Sequence, residues 1–266
     1  MPERSKEFDP DSVRDEWDTA SDAYAEGQAA GRDYYRLEFF GPAQVELCGT
    51  VQGLRLLDVG CGTGYFAREM ARRGAVVTAV DLSPGMFAHA QKSESTAPLG
   101  IRYLNGDAAR LREYLDAESF DMVTSCLALQ DMPDTPKVFR SIHDVLAPGG
   151  RLVASIAHPC SDTPFRVWAK DESGAKQWLC IDRYFDRGPL KYAWKDWMYE
   201  FATSAYHTTL EDWFGWLLDA GFAVRAIREP APTASALQAH PNLEDAARIA
   251  YYLMFDLERT RKAHSA

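Results

Sequence analysis

A glycine-rich segment is the first sign of chemistry in this sequence. Residues 58–64 read DVGCGTG, directly after the apolar run LRLL and before the amphipathic stretch YFAREMARRG. Glycine lets the backbone approach a ligand closely, and the N-terminus of a following helix presents unpaired N–H groups. The segment therefore predicts a site for a nucleotide-like ligand, although dinucleotide enzymes and some structural turns carry close relatives of it.

Two carboxylates follow at the ends of the next apolar runs. Asp81 ends VVTAVD, 17 residues after Gly64, and Asp107 lies in NGDA behind the run IRYL. A carboxylate at the first of these positions can accept hydrogen bonds from both hydroxyls of a ribose. Because ligands of open α/β sheets sit beyond the carboxyl ends of the strands, both side chains are expected at the same site.

Two histidines and one tyrosine are candidates for contact with a second ligand. His207 directly precedes a predicted helix, whose N-terminal dipole would keep the ring neutral and able to act as a base. The alternative is a ring that only hydrogen-bonds the backbone at the helix entry. His158 ends the fifth predicted strand and faces the same edge, unless it merely forms a bend before Pro159. Tyr24 either contacts a ligand or belongs to the buried face of an N-terminal helix.

Short β-branched runs alternate with amphipathic stretches from about Leu54 to Ile156, which predicts parallel strands joined by helices. Ser83 and Pro84 supply an N-cap and a first-turn proline for one of these helices. The strings FAVRAI and IAYYLMF are the last two strand candidates and could pair antiparallel at the edge. The expected fold class is α/β, with a doubly wound, mostly parallel seven-stranded sheet, an N-terminal helical cap and an aromatic-rich insertion after strand 5.

One domain with four segments accounts for the whole chain. The segments are a helical cap (1–49), a cofactor-binding core (50–157), an acceptor-side lid (158–207), and a core helix with edge strands (208–266). Residues 160–206 hold 11 of the 32 aromatic residues without regular periodicity, which fits a mobile lid or a small satellite core. In the next helix, Thr208 and Glu211 are expected to form a capping box. The residues expected to line one face of that helix are Leu210, Phe214, Leu217 and Leu218.

Composition and charge exclude several classes of protein. With 266 residues, 46% of them apolar, the chain can bury one sizeable core, and its formal charge of −10 disfavours nucleic acid as a partner. No apolar stretch has the length of a membrane helix or of a signal peptide. Five cysteines without CxxC spacing predict neither a disulfide framework nor a metal site, so a cytoplasmic, reducing location is expected.

Four strings, in this order and spacing, resemble the class I S-adenosylmethionine-dependent methyltransferases. They are LLDVGCGTGYFAREMARRGAVVTAVDLSPGMFAHA, NGDA, FDMVTSCLALQDMPD and VLAPGGRLVASIAHPC, and the resemblance covers nearly the whole chain. It implies a Rossmann-like methyltransferase fold, S-adenosyl-L-methionine as cofactor and S-adenosyl-L-homocysteine as its product. With Tyr24, the predicted cofactor-binding residues are Asp58, Gly60, Cys61, Gly62, Gly64, Asp81, Leu82, Asp107, Ala108, Cys126 and Leu127.

The resemblance also assigns roles within this set. The glycine-rich segment would surround the methionine part of the cofactor, and Asp81 would bind its ribose. Asp107 and the backbone of Ala108 would contact the amino edge of the adenine. Cys126 and Leu127 would border the methionine amino group and the sulfonium.

More narrowly, HPC, YHTTL and EPAPT resemble small-molecule methyltransferases that are grouped with the ubiquinone and menaquinone enzymes. The implied activity is methyl transfer to an O, N or C nucleophile of a small, apolar or aromatic metabolite, with His207 and His158 as candidate catalytic residues. The chain would act as a monomer or homodimer. Alternatives are a non-catalytic S-adenosylmethionine-binding regulator, an NAD(P)-dependent oxidoreductase and an RNA methyltransferase. Gln130 stands where the group commonly has histidine.

Overall fold

Eleven strands and eight α-helices are present in the computed structural model of the protein, which describes residues 8–195 and 200–260. The strands are β1 (Arg55–Val59), β2 (Val76–Asp81), β3 (Arg102–Asn105), β4 (Phe120–Cys126), β5 (Leu146–Ala157), β6 (Phe165–Lys170), β7 (Lys176–Asp182), β8 (Gly188–Trp194), β9 (Phe201–His207), β10 (Phe222–Arg228) and β11 (Tyr252–Arg259). The helices are α1 (Pro10–Ala29), α2 (Gly41–Cys48), α3 (Tyr65–Arg72), α4 (Pro84–Thr96), α5 (Thr135–Val145), α6 (Leu210–Asp219), α7 (Ala234–Ala239) and α8 (Glu244–Arg248).

Seven strands form one sheet in the order β10-β11-β5-β4-β1-β2-β3. β1 to β5 pair in parallel, whereas β11 runs antiparallel to both β5 and β10. The predicted α/β fold with a mostly parallel seven-stranded sheet is therefore confirmed. The chain changes direction between the neighbouring strands β1 and β4, and ligands of such sheets bind beyond the strand ends at this switch point.

The central strands are apolar on both faces because helices cover both sides of the sheet. Leu56 and Leu57 are fully buried on opposite faces, since successive side chains of a strand alternate. Leu56 packs in a cluster with residues of α2 and α3, and Leu57 packs in a second cluster with residues of α5 and α6. This double cover makes β1 and β4 rigid supports for the loops that follow them.

The observed N-cap of α4 agrees with the sequence-based prediction, whereas that of α6 corrects it. Ser83 caps α4 as predicted, since its hydroxyl accepts a hydrogen bond from the Met86 N–H at 3.1 Å. In α6, Thr209 and Asp212 form the capping box, so the prediction of Thr208 and Glu211 is wrong by one residue. The buried face of α6 also differs from the expected one: Trp213 and Leu217 are buried, whereas Leu218 is 57% exposed.

The aromatic-rich insertion has regular structure that its sequence did not reveal. β6 pairs with β7, and β8 pairs with β9, as two antiparallel hairpins outside the main sheet. Both faces of β6 and β7 keep contact with solvent, so the residues do not alternate between apolar and polar. Two aromatics of the insertion, Trp197 and Tyr199, lie outside the described residues. Over residues 8–195 and 200–260, no helix combines the length and apolarity required to cross a membrane.

Candidate functional site

The glycine-rich segment forms the turn between β1 and α3, and its three glycines are needed for different reasons. All have positive φ angles of 54 to 88°, a region that favours glycine. A Cβ on Gly60 would lie 2.5 Å from the Cβ of Ala128, and one on Gly64 would lie 2.5 Å from the hydroxyl of Tyr103. A Cβ on Gly62 would meet no protein atom within 4 Å. Only Gly62 therefore leaves open space, which a ligand could occupy.

Asp81 holds the glycine turn in place from the end of β2. Its Oδ2 accepts a hydrogen bond from the Gly62 N–H at 2.7 Å, and its Oδ1 accepts one from the Ser83 N–H at 3.0 Å. Each carboxylate oxygen has lone pairs for further donors, such as a pair of hydroxyls. Asp107 lies at the end of β3, where its Oδ1 accepts from the Ala109 N–H at 2.8 Å.

These residues surround a cavity of about 110 Å³, here called the inner cavity. It lies at the carboxyl ends of β1 to β4 and is closed on one side by α1. The sequence-predicted residues that line it are Tyr24, Gly60, Cys61, Gly62, Asp81, Leu82, Asp107, Ala108, Cys126 and Leu127. Asp58 and Gly64 belong to the same prediction but are not among the described residues of the lining. Gly64 instead makes room for Tyr103.

Asp58 lies behind the turn in the protein interior. It is 1% exposed, its Oδ1 accepts a hydrogen bond from Thr124 at 2.7 Å, and its buried Oδ2 has no hydrogen-bond partner among the residues that the structure describes. Burial disfavours the anion and raises the pKa of Asp58 to about 7, although the bond from Thr124 opposes this. Asp58 thus supports the turn from below, and the resemblance-based contact with the methionine part stays a prediction.

Arg36 is a cation of the site that the sequence did not single out. It lines the inner cavity, and its side chain is 14% exposed. The guanidinium pairs with Asp33 at 2.8 Å, donates a hydrogen bond to the Tyr24 hydroxyl, and lies 5.6 Å from the ring centre of Phe40. A buried guanidinium beside an open cavity suits an anionic group, such as a carboxylate.

A second and larger cavity adjoins the first. This outer cavity has a volume of about 1030 Å³ and lies between α1, the turn after it, and the hairpin strands β6, β8 and β9. The residues that line both cavities are Trp17, Tyr24, Arg36, Leu127 and Asp131. These five residues, here called the junction, are where a ligand of one cavity would meet a ligand of the other.

The backbone after β4 is strained at the junction. Leu127 has a φ of 52°, which is uncommon for a residue other than glycine and costs on the order of 1–3 kcal/mol. Its N–H donates to both the carbonyl and the hydroxyl of Ser155, each at 3.1 Å, and these bonds hold the conformation. The neighbouring Cys126 is buried, and burial raises the pKa of its thiol to about 12. Cys126 is therefore a neutral wall of the inner cavity rather than a nucleophile.

His207 is not placed at the acceptor side, which corrects the position expected from the sequence. It is 5% exposed, and its two ring nitrogens lie 3.0 Å from the carbonyl of Asp162 and 2.9 Å from that of Tyr184. It is absent from the described lining of both the inner and the outer cavity. Both ring nitrogens point at backbone carbonyls rather than into the inner or the outer cavity. The residue ties β9 to the loops on either side of β6 and β7.

Replacement of His207 by alanine is therefore expected to lower stability and leave the chemistry largely intact. Loss of a buried ring and its hydrogen bonds costs about 1–3 kcal/mol, which corresponds to a melting temperature lower by about 2–10 °C. Differential scanning calorimetry checks this, with His89→Ala at the more exposed pair with Asp22 as the control. A fall in turnover of more than about 100-fold, at an unchanged melting temperature, would restore His207 as a base.

His158 is likewise fully engaged with the protein. Its Nε2 lies 2.8 Å from the carboxylate of Glu229, and its Nδ1 accepts a hydrogen bond from the Cys160 N–H at 3.2 Å. The ring is 7% exposed and is not part of the described lining of either cavity. His158 fixes the bend after β5, which is the alternative that the sequence left open.

The site fits the cofactor that the resemblance implies. Asp81 presents carboxylate oxygens for the two ribose hydroxyls, and Asp107 presents a carboxylate for the adenine amino group. Arg36 supplies a cation for the carboxylate of the methionine part, which no residue of the sequence-based set could do. The open space at Gly62 belongs to the same lining. S-adenosylmethionine carries each of these groups.

Affinity for this ligand is expected to fall in mild acid. Burial raises the pKa of Asp81 to about 6, and hydrogen bonds from the N–H groups of Ser83 and Gly62 oppose this only in part. The ribose hydroxyls of a bound ligand would donate hydrogen bonds to the Asp81 carboxylate and would favour its anionic form. Binding therefore lowers the pKa of Asp81, and protonation of Asp81 competes with binding. The dissociation constant should be constant above pH 6 and rise by up to about tenfold per unit below it.

Calorimetric titration of S-adenosylhomocysteine between pH 5 and 8 measures this dependence. Asp58 titrates in the same range, with its pKa raised to about 7 by burial. The Asp81→Asn variant identifies the group responsible, because it should lose the component near pH 6 and keep any contribution of Asp58. Equal affinity for the wild-type protein at pH 5 and pH 8 would contradict the assignment of Asp81.

Comparison with known proteins places the chain in one family. Residues 57–154 match the methyltransferase-domain family. An S-adenosylmethionine-dependent methyltransferase from Mesorhizobium loti, solved by crystallography, is 32% identical, covers 82% of this chain and 96% of its own, and superimposes with a TM-score of 0.69. A 1,6-didemethyltoxoflavin-N1-methyltransferase from Burkholderia thailandensis, at 16% identity over 94% of this chain and 88% of its own, shares the fold with a TM-score of 0.58.

A ubiquinone biosynthesis O-methyltransferase from Pseudomonas syringae is 37% identical over 103 residues. This match covers 39% of the chain and 44% of that relative, so it spans less than half of the relative's length. The long match to the Mesorhizobium protein, together with the sheet order, decides the family. The chain belongs to the class I S-adenosylmethionine-dependent methyltransferases.

Proposed function

We propose that this protein transfers the methyl group of S-adenosylmethionine to an O, N or C nucleophile of a small, largely apolar or aromatic molecule. The observation that carries the proposal is the junction, whose five residues line both cavities. A cofactor in the inner cavity and an acceptor in the outer cavity would meet there. The name of the Pseudomonas relative, a biosynthetic O-methyltransferase, supports a small-molecule acceptor.

The chain's own residues have a limited chemical task in such a reaction. When bound, S-adenosylmethionine supplies a methyl group on a positively charged sulfur. The protein must align the acceptor with that methyl group and keep water out. Trp17 and Tyr24 form an apolar wall at the junction, with ring centres 5.7 Å apart, and Trp194 of β8 extends this wall into the outer cavity.

The volume of the outer cavity argues against a protein that binds the cofactor without turnover. In a regulatory protein of this fold, the acceptor side would be expected to be filled by side chains. Here about 1030 Å³ remains open beside the junction. That volume is at the upper end of the range of small-molecule sites, which span roughly 300–1,000 Å³.

Two measurements test the proposal in sequence. S-adenosylhomocysteine should raise the melting temperature of the protein and NAD should not, because binding to the native state alone stabilises it. Incubation with methyl-labelled S-adenosylmethionine and an extract of the source organism should then label a small metabolite. Stabilisation by NAD instead, or label recovered only in nucleic acid, would contradict the proposed function.

A further inference from the structure

Asp131 is the one carboxylate of the junction. It ends the short 3₁₀ turn Leu129–Asp131 after β4 and lines both cavities. The other acids of the outer cavity each pair with a cation: Asp33 with Arg36, Asp162 with Arg166, and Asp245 with Lys176. Within the described parts of the chain, no lysine, arginine or histidine forms an ion pair with Asp131. Its carboxyl group is therefore not committed to a cation of the described protein.

Burial and two neighbouring carboxylates act on Asp131. Burial raises the pKa of Asp131 well above its usual value, Gln130 opposes this, and the charges of Asp162 and Glu16 raise it further. Glu16 pairs with Lys191 through Oε1, and its buried Oε2 has no hydrogen-bond partner among the described residues. Among the cations that line the outer cavity, Arg36 and Arg166 pair with Asp33 and Asp162, and Arg32 and Lys195 are exposed. Asp131 is then the carboxylate of this lining to which a bound cation could add a charge partner.

Three aromatic rings stand together in the same cavity. Trp17, Tyr24 and Trp194 contact one another edge to face, with ring centres 5.7 to 6.0 Å apart, and all three line the outer cavity. The indole N–H of Trp194 donates to the hydroxyl of Thr203 at 2.8 Å, which fixes the orientation of that ring. Electron-rich ring faces attract a cation within about 6 Å, and they contribute roughly 0.5–2 kcal/mol.

We propose that the acceptor is an amine, which binds as its ammonium form between Asp131 and the rings of Trp17, Tyr24 and Trp194, and that Asp131 takes the proton the nitrogen must lose. This inference rests on the proposed methyltransferase function and names the substrate class of that function. It assigns Asp131 a catalytic role, because the carboxylate would touch the reacting nitrogen.

The proton and the electron pairs of this methyl transfer are accounted for by the amine, Asp131 and the cofactor. An ammonium nitrogen has no lone pair, so it first passes one proton to the Asp131 carboxylate, which gives a neutral amine and a neutral acid. Burial favours this neutral pair over two charges. The nitrogen lone pair then forms the bond to the methyl carbon while the carbon–sulfur bond breaks, and that electron pair stays on sulfur. The product is an N-methylammonium ion and a neutral thioether, and Asp131 later releases its proton to solvent.

Charge decides between an amine and an oxygen acceptor. In amine methylation, the positive charge moves from sulfur to nitrogen and remains inside the site, where the aromatic rings stabilise it. A phenolate or carboxylate acceptor would enter as an anion, which the carboxyl group of Asp131 would not stabilise. Arg36 does not reverse this balance, because Asp33 and, in the proposed complex, the carboxylate of the cofactor share its charge.

Paired ligands test the substrate class without knowledge of the natural acceptor. The protein is first saturated with S-adenosylhomocysteine in a calorimeter, which by itself tests the proposed function. It is then titrated with benzylamine, 2-phenylethylamine, 3-phenylpropylamine and tryptamine, and with the alcohol of each skeleton. We expect at least one amine to bind about tenfold or more tightly than its alcohol, because a charged hydrogen bond and cation–π contact are added.

Variants assign this preference to residues. Asp131→Asn should reduce the ratio of amine to alcohol affinity to near one, and it should reduce methylation of the preferred amine by about 100-fold or more. Trp194→Leu should lower the ratio and Trp194→Phe should largely keep it, because only the second retains a ring. Asp116→Asn, at an exposed carboxylate remote from both cavities, is the control and should change neither quantity.

The results of these titrations distinguish a failure of the amine inference from a failure of the proposed function. If S-adenosylhomocysteine does not bind, the proposed function fails before any amine is tested. If it binds but no amine exceeds its alcohol, or if Asp131→Asn keeps the full preference, the amine inference is overturned and the methyltransferase function stands. Transfer of label to a phenol in preference to every amine would overturn it as well.

Discussion

Replacement of Gly62 by valine is expected to abolish cofactor binding while the fold survives. The Cβ of a residue at this position would point into open space, with no protein atom within 4 Å, at the wall of the inner cavity. An isopropyl group would fill that space. We expect an affinity loss of about 100-fold or more for S-adenosylhomocysteine, equivalent to at least ~2.7 kcal/mol. Isothermal titration calorimetry measures it.

The backbone strain of this substitution needs a matched control. Gly62 has a φ of 54°, so a β-branched residue costs stability on the order of 1–3 kcal/mol in addition to any effect on the ligand. Gly149 has a φ of 72°, also has open space at its Cβ position, and is exposed far from both cavities. Gly149→Val should therefore lower the melting temperature by a similar amount and leave cofactor affinity unchanged. A folded Gly62→Val protein with wild-type affinity would remove Gly62 from the cofactor site.

The elements that could be predicted from the sequence are those whose signals are local. The glycine turn follows β1 directly, and Asp81 ends β2, so the positions of both follow from strand order alone. Ser83 and the proline after it mark the start of α4 in the same way. In each of these cases, neighbouring residues in the sequence determine the geometry.

Arg36 and Asp131 were missed because nothing next to them in the sequence marks their role. Arg36 begins a short π-helical turn, Arg36–Phe40, and reaches the site only because α1 brings the following turn over the strand ends. Asp131 ends a 3₁₀ turn and lines both cavities, and the positive φ of Leu127 lies just before that turn. A charged residue in the loop after a parallel strand is the sequence signal that could indicate such a position. Among the charged residues of these loops, only Asp107 was predicted as a site residue.

His207, in contrast, was predicted to lie at the site and is not part of the described lining of either cavity. Its position before a capped helix suggested a base, but sequence order does not determine where a ring points. The residue is the last of β9, a strand that the sequence did not reveal, and its ring turns toward the carbonyls of Asp162 and Tyr184. Hairpins whose two faces both remain partly exposed lack the alternation by which strands are recognised.

Substitution of Asp81 by alanine should weaken cofactor binding by about 100- to 10,000-fold. Two hydrogen bonds from ribose hydroxyls to a carboxylate would be lost, and each contributes roughly 1.5–3 kcal/mol. The same carboxylate accepts the N–H groups of Gly62 and Ser83, at 2.7 and 3.0 Å. Part of the loss could therefore come from a displaced glycine turn, and the experiment must separate the two causes.

A ligand without ribose hydroxyls makes that separation. S-adenosylhomocysteine and its 2′,3′-dideoxy analogue are each titrated into the wild-type protein and into Asp81→Ala. If Asp81 acts through the hydroxyls, the substitution should cost the parent ligand the full factor and the dideoxy analogue little, because the analogue never made those bonds. The coupling between ligand and residue is then about 3–6 kcal/mol. If both ligands lose affinity equally, Asp81 only shapes the turn, and the ribose contact must be assigned to another residue of the inner cavity.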